Sequence, residues 1–147
     1  MSVGAITLAD ITSADWSLAL DQPGIPGAGL GNVVQGVADV NQCIRIILTT
    51  PRGSDPLRPT FGADIWQYVD HPISSATPAI VREVTQAIAL WEPRVTLLSV
   101  RATPAQDDTA QSGAHLDIAI TWQLKLSTAN RKTATTPNST AVTIPTA

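Results

Sequence analysis

Residues 77–94 read TPAIVREVTQAIALWEPR and run directly into VTLLSVR at 95–101. Ile80, Val84, Ala87, Ile88 and Trp91 recur at helical spacing and line one face. Thr77 suits the position that caps a helix N-terminus, and Pro78 suits the first helical position. Pro93 has no N–H to continue the helix and pushes Glu92 out of the helical region. Beyond it, residues 94–101 read as a strand. A helix, a sharp corner and a strand therefore follow one another without a linker.

Downstream, a polar stretch through Pro104, Asp107, Asp108 and Gly113 turns the chain back. Leu116, Ile118, Ile120, Trp122, Leu124 and Leu126 then alternate with His115, Asp117, Ala119, Thr121, Gln123 and Lys125. That period of two marks a long strand with one buried face. After Ser127 the chain turns Thr-, Asn- and Pro-rich, so 128–147 is expected to be a polar tail, disordered or ordered on binding.

Upstream, Val37, Val40, Ile44, Ile47 and Leu48 define a second helix, with Asp39 in its first turn and Pro51 after its end. Before it, Trp16, Leu18 and Leu20 alternate as a strand. Residues 24–29, GIPGAG, reverse the chain towards a second short strand near 30–34. Between the helices lies a stiff loop with Pro51, Pro56 and Pro59. A helical turn is expected at 61–66, with Phe61, Ile65 and Trp66 facing inward. The expected fold is α+β: a small antiparallel sheet with two main helices on one face, an N-terminal hairpin and a long C-terminal hairpin. One domain spans 1–127.

Composition narrows the function. The chain has 147 residues, of which 44% are hydrophobic and only 14% charged, against about 25% charged in an average soluble domain. Partners covering part of the surface would explain the shortage. A net charge of −3 argues against a nucleic-acid binder. A single cysteine, Cys43, excludes an internal disulfide framework. No apolar run reaches the length of a membrane span, and no basic residue precedes Arg45 to open a signal peptide. Manufacture in a reducing cytoplasm, without a membrane partner, is the expectation.

Catalytic readings find little support. The glycines between 24 and 31 lack nucleotide-loop spacing and have no lysine near them. There is no G-x-S-x-G elbow. His71, His115 and Cys43 do not make a spaced metal set, so neither a metal nor another cofactor is expected. The two histidines read as surface residues and Cys43 as an apolar filler. Glu83 and Glu92 are the only glutamates. Glu83 is expected on the solvated side of its helix. A general acid needs a carboxyl in an apolar pocket, whereas Glu92 has Arg94 two residues away as an ion-pair partner. Not an enzyme is the expectation.

Glu92 is nevertheless informative. A carboxylate at a helix C-terminus faces the negative end of the dipole, at a cost of about 0.3–1 kcal/mol. Either Arg94 neutralises it as a clamp across Pro93, or Glu92 serves a partner. Residue chemistry ranks the clamp first, and the two roles are compatible.

Three segments together resemble a known family: Ile44-Arg45-Ile46-Ile47-Leu48-Thr49-Thr50-Pro51-Arg52-Gly53, then Arg58-Pro59-Thr60-Phe61-Gly62, then Ala89-Leu90-Trp91-Glu92-Pro93-Arg94-Val95. Their order and spacing are similar to those of the baseplate wedge and sheath-initiator family of contractile tails, which has a counterpart in type VI secretion. The resemblance extends over residues 30–126. It departs at Ser54-Asp55, where many members carry a glutamate after the glycine, and no role is assigned there. The resemblance implies a structural protein of the virion tail baseplate, made in the host cytoplasm and present in six copies. Its implied partners are the tail sheath protein and other wedge proteins, with tail tube or hub proteins as further candidates. It implies that Glu92, Pro93 and Arg94 form an interaction or structural core. The alternating strand from Leu116 to Leu126 would have a free edge that accepts sheath strands by β-augmentation. Some members carry a lysozyme label, so a peptidoglycan hydrolase is the enzymatic rival; a type VI wedge component is the other alternative.

Overall fold

The computed structural model describes residues 15–20, 32–68, 71–105, 115–125 and 137–145. Two compact units divide the chain, residues 1–43 and 44–147, with one helix running across the boundary. The expected turn at 24–29, the loop around Asp107, Asp108 and Gly113, Leu126 and most of the polar tail lie outside the described residues.

In the first unit, β1 (Trp16–Leu18) pairs antiparallel with β2 (Val33–Gln35), the expected hairpin. Gly36 follows at φ +57°, a left-handed conformation that glycine adopts without strain, and the chain turns there into α1 (Val37–Thr49). Buried Gln42 on α1 holds β1 through its amide. Its Oε1 accepts the Leu20 N–H at 2.9 Å, and its Nε2 donates to the Leu18 carbonyl at 2.8 Å and to Ser17 Oγ at 2.9 Å. The side-chain amide thus supplies the pair of bonds that a neighbouring strand would make along that side of β1. Trp16, Leu18 and Leu20 stay substantially exposed.

The second unit begins within α1, where Ile44, Ile47 and Leu48 are buried, as their spacing requires. The Thr49 hydroxyl donates to the Arg45 carbonyl at 2.8 Å and that of Thr50 to the Ile46 carbonyl at 2.6 Å. The Thr50 N–H also donates to the Ile46 carbonyl, at 3.0 Å, so backbone and hydroxyl of one residue share that acceptor, and the helix stops ahead of Pro51, which has no N–H to continue it. The helical turn expected at 61–66 is instead a 3₁₀ turn at Trp66–Tyr68. Gly62, at φ +98°, breaks the helical path before it. Ile65 is buried, but Phe61 is only half-buried and Trp66 is exposed.

Helix α2 (Ile73–Trp91) starts before the expected cap. Pro72 caps it, its carbonyl accepting the Ser75 and Ala76 N–H groups at 2.9 and 3.0 Å and the Ser75 hydroxyl at 2.9 Å. Pro78 therefore lies inside the helix. Ser74, whose carbonyl loses its partner to Pro78, and Pro78 itself are on the exposed side, where water can reach that carbonyl. Buried Ala76 adds one more turn to the apolar face of Ile80, Val84, Ala87 and Ile88.

Helix α2 packs against β3 (Val95–Ala105), which pairs antiparallel with β4 (His115–Leu124). Strand β4 pairs in turn with β5 (Asn138–Pro145), giving the order β3-β4-β5. Strand β5 corrects the expectation that everything after 127 is a tail without structure of its own. Its register with β4 runs unbroken from His115↔Pro145 to Trp122↔Asn138. Thr140 and Val142 are buried on it, and its Thr- and Asn-containing composition gave no long apolar run to mark it in the sequence.

On β4, Leu116, Ile118, Ile120 and Trp122 are buried, in accord with the alternation. The Trp122 indole N–H donates to Thr140 Oγ1 at 2.9 Å, a buried bond that fixes β5 to the sheet. Thr140→Val keeps the branched shape but leaves that N–H without its acceptor, which costs about 1–3 kcal/mol. Urea unfolding of the full chain measures the loss.

Candidate functional site

Helix α2 ends because Glu92, ahead of Pro93, takes φ −124° and ψ 72°, outside the helical region. Its N–H still donates to the Ile88 carbonyl at 2.9 Å, and its own carbonyl accepts the Val95 N–H at 3.3 Å across the corner. The Glu92 side chain, in a residue only 3% exposed, receives a guanidinium fork: Arg94 Nε to Oε1 and Nη2 to Oε2, both at 2.7 Å. The Arg94 carbonyl accepts the Lys125 N–H at 2.8 Å, which ties the corner to the end of β4. Bidentate geometry makes this the strong kind of ion pair.

A second ion pair lies two and a half turns earlier on α2, about 13 Å along the axis. Arg52 Nη2 donates to Glu83 Oε2 at 2.8 Å. Glu83 is 8% exposed, which corrects the expectation that it faces solvent. The spacing already held the signal: position 83 follows Ala76 by seven residues and Ile80 by three, and precedes Ala87 by four. Residue type, not position, suggested exposure; Arg52 supplies the partner that makes burial tolerable.

The loop between these pairs is tied down throughout. A parallel bridge joins Pro51 to Ala63, and the Ala63 N–H donates to the Thr50 carbonyl at 3.1 Å. This close approach needs Gly62, since a Cβ there would overlap the Thr50 carbonyl. Asp55 accepts the Leu57 N–H at 2.9 Å and Arg58 Nε at 3.0 Å. The Arg58 guanidinium lies 4.4 Å over the Phe61 ring, whose centroid is 5.1 Å from that of Trp91 in an edge-on arrangement. The Trp91 indole N–H donates to the Thr60 carbonyl at 3.1 Å.

The three sequence segments singled out therefore converge on the C-terminal half of α2. Arg52 reaches Glu83, Thr60 and Phe61 reach Trp91, and Glu92 with Arg94 forms the adjoining corner. The expected docking strand lies elsewhere in the sheet. Strand β4 is central, with β3 on one side and β5 on the other, so it has no free edge in this structure. Strand β5 is the other outer strand of the three; its pairing with β4 has no register shift, and it ends in a proline of its own, Pro145. Strand β3 carries a bulge at Leu98 and a proline at 104, both of which interrupt edge pairing. Among the described residues, no group of three or more His, Cys, Asp and Glu side chains is placed to hold a metal ion. His71 is exposed, its ring edge-on to Tyr68.

The sequence profile of the family described as baseplate wedge protein gp25 matches residues 34–129. The chain belongs to the gp25 baseplate wedge family. Over 81 residues it is 35% identical to baseplate protein W of Escherichia phage P2, a match covering 52% of this chain and 68% of that protein. To baseplate wedge protein gp25 of Enterobacteria phage T4 it is 31% identical over 74 residues, 50% of this chain and 56% of the T4 protein. Among solved structures, a Geobacter sulfurreducens protein provisionally named a tail lysozyme is similar at TM-score 0.59 and 34% identity. That match covers 74% of this chain and 89% of the other. A chain of the post-contraction pyocin R2 baseplate matches at TM-score 0.53 and 30% identity, covering 66% and 93%. A chain of the anti-feeding prophage baseplate, at 21% identity, shares the fold at TM-score 0.60, covering 79% and 90%. The gp25 profile contains all of α1, α2, β3 and β4, whereas β1 and β5 lie outside it.

Two outcomes test the local chemistry. Arg94→Ala strands a buried carboxylate and costs about 2–4 kcal/mol, whereas Glu92→Ala leaves a guanidinium already 30% exposed and costs about 1–2 kcal/mol. The double variant loses less than the sum, and a denaturation cycle reads the coupling. At Asp55 the Leu57 N–H, foremost, holds the carboxyl below its ordinary value of 3.8; desolvation opposes it, and the Arg58 guanidinium adds individually lesser lowering contributions. A depressed folded value means that the ionised loop contributes stability above the unfolded value and loses it as pH falls through the folded one. An NMR titration of Asp55 should show a midpoint under 3.8, and Asp55→Asn should flatten that acid limb of the stability curve.

Proposed function

We propose that this chain is a structural wedge component of a contractile-tail baseplate that initiates and anchors the sheath without catalytic turnover. Membership of the gp25 family carries this reading, and two relatives are phage proteins named for the baseplate. In this proposal the chain resides in the virion tail baseplate after manufacture in the bacterial host. It contacts other wedge proteins and the tail sheath, with tube or hub proteins as further neighbours, in six copies. The Glu92–Pro93–Arg94 corner braces the sheet on its helix, and the sheet accepts a strand from the first sheath ring. In this reading the accepting edge is the outer edge of β5, because β4 is paired on both sides and β5 pairs with it without a register shift. Leu116, Ile118, Ile120 and Trp122 then serve as the buried floor of the docking sheet, not as its docking edge.

A hydrolase reading has one observation in its favour, the lysozyme name of the Geobacter neighbour. Against it, both glutamates of the chain are engaged by arginine: Glu92 through both oxygens and Glu83 through Oε2.

Sheath assembly on purified baseplates made with and without this chain, scored by electron microscopy, tests the proposal. Sheath should grow only where the chain is present, and a cell-wall turbidity assay with the purified protein should show no clearing. Equal sheath growth without the chain would overturn the initiator role.

A further inference from the structure

Leu57 is 92% exposed, far more than any other large apolar side chain identified as exposed among the described residues. A lone exposed leucine on a floppy loop would mean nothing. The segment that carries this one is braced on both sides. Before it, Pro51 O accepts both the Ser54 N–H at 3.1 Å and the Ser54 hydroxyl at 2.7 Å. At the apex, Asp55 holds the Leu57 N–H and Arg58 Nε, while its carbonyl accepts the Arg58 N–H at 3.2 Å. After it, the Phe61 N–H donates to the Arg58 carbonyl at 2.9 Å, and Phe61 stacks edge-on against Trp91. Pro56 and Pro59 flank the apex and restrict its backbone further. A backbone held this way loses little freedom when its side chain enters a pocket, which is what makes an anchor efficient.

Beside the leucine, the Arg58 guanidinium commits only Nε to Asp55 and its face to Phe61. Its Nη hydrogens have no acceptor among the described residues, and its side chain is 56% exposed. An apolar knob next to a half-free guanidinium fits an apolar pocket with a carboxylate at its rim. A membrane surface fits less well, because Asp55 sits within the same turn.

We infer that Leu57 is an anchor that inserts into an apolar, acid-rimmed pocket of another baseplate protein, with Arg58 engaging the rim. This contact is separate from the sheet edge assigned to the sheath and acts before any sheath is present.

The test is competitive incorporation. Wild-type and variant full-length chains are co-produced at equal levels during assembly of sheathless baseplates. Mass spectrometry of the peptide containing positions 57 and 58 then gives their ratio in the purified particle. Leu57→Ser should be depleted at least about tenfold, as expected for a leucine withdrawn from a protein pocket, with its unfolding midpoint unchanged. Leu57→Met should incorporate within about threefold of wild type, since methionine fills apolar pockets readily. Arg58→Met keeps an apolar stem over Phe61 and should be depleted about threefold or more, in proportion to a lost charge-assisted bond. Equal incorporation of Leu57→Ser would overturn the anchor, and equal incorporation of Arg58→Met would overturn the acidic rim. Self-association of the purified chain that disappears in Leu57→Ser would also overturn the proposal, by assigning the knob to a second copy.

Discussion

Glu92 stands where a helix least tolerates a carboxylate, and Arg94 makes the position workable by meeting both oxygens at 2.7 Å. Pro93 between them forces the chain to turn, so the helix end and the strand start are locked by residues that touch across the proline. The direction of β3 follows from that lock, and the Arg94 carbonyl passes it to the end of β4 through Lys125. A corner of this kind converts the position of a helix into the position of a sheet. That conversion is what a wedge component needs if a surface on its helix and an edge on its sheet are to be held in a fixed relation.

The same half of α2 collects the rest of the stiff material. Arg52 and Glu83, Thr60 and Trp91, Phe61 and Trp91 fasten the proline-rich loop through an ion pair, a hydrogen bond and a ring contact. Each alone is modest, since half-exposed pairs contribute little to stability. Together they remove freedom from a segment that has no regular secondary structure of its own. Rigidity, more than stability, is the product. In an assembly built from repeated contacts, ordering a loop before association lowers the entropic cost at every copy.

The sheet shows a different economy. Its floor is apolar and continuous on β4, and among the described side chains of β5 Thr140 and Val142 are buried against it, Thr140 through its bond to the Trp122 indole. The two outer strands differ in their pairing with β4: β3 carries a bulge at Leu98, whereas β5 pairs without a register shift. On the N-terminal unit the problem of an open strand is solved locally, by the Gln42 amide bonding along β1.

Periodicity alone determined the helices at 37–49 and 73–91 in kind, the N-terminal hairpin, the buried face of β4 and the corner at Pro93, because these depend on residues close together in the chain. The Glu92–Arg94 fork was legible for the same reason: its members are two residues apart. Only the tertiary structure decided which strand is central, because the pairing of β5 with β4 joins residues well separated in the chain, from Trp122↔Asn138 to His115↔Pro145. It also decided that a carboxylate can occupy position 83, which the spacing places on the buried face, since its tolerance depends on Arg52 arriving from a loop 31 residues away. Leu57 belongs with these, because exposure is a property of what folding leaves uncovered, and no local spacing encodes that.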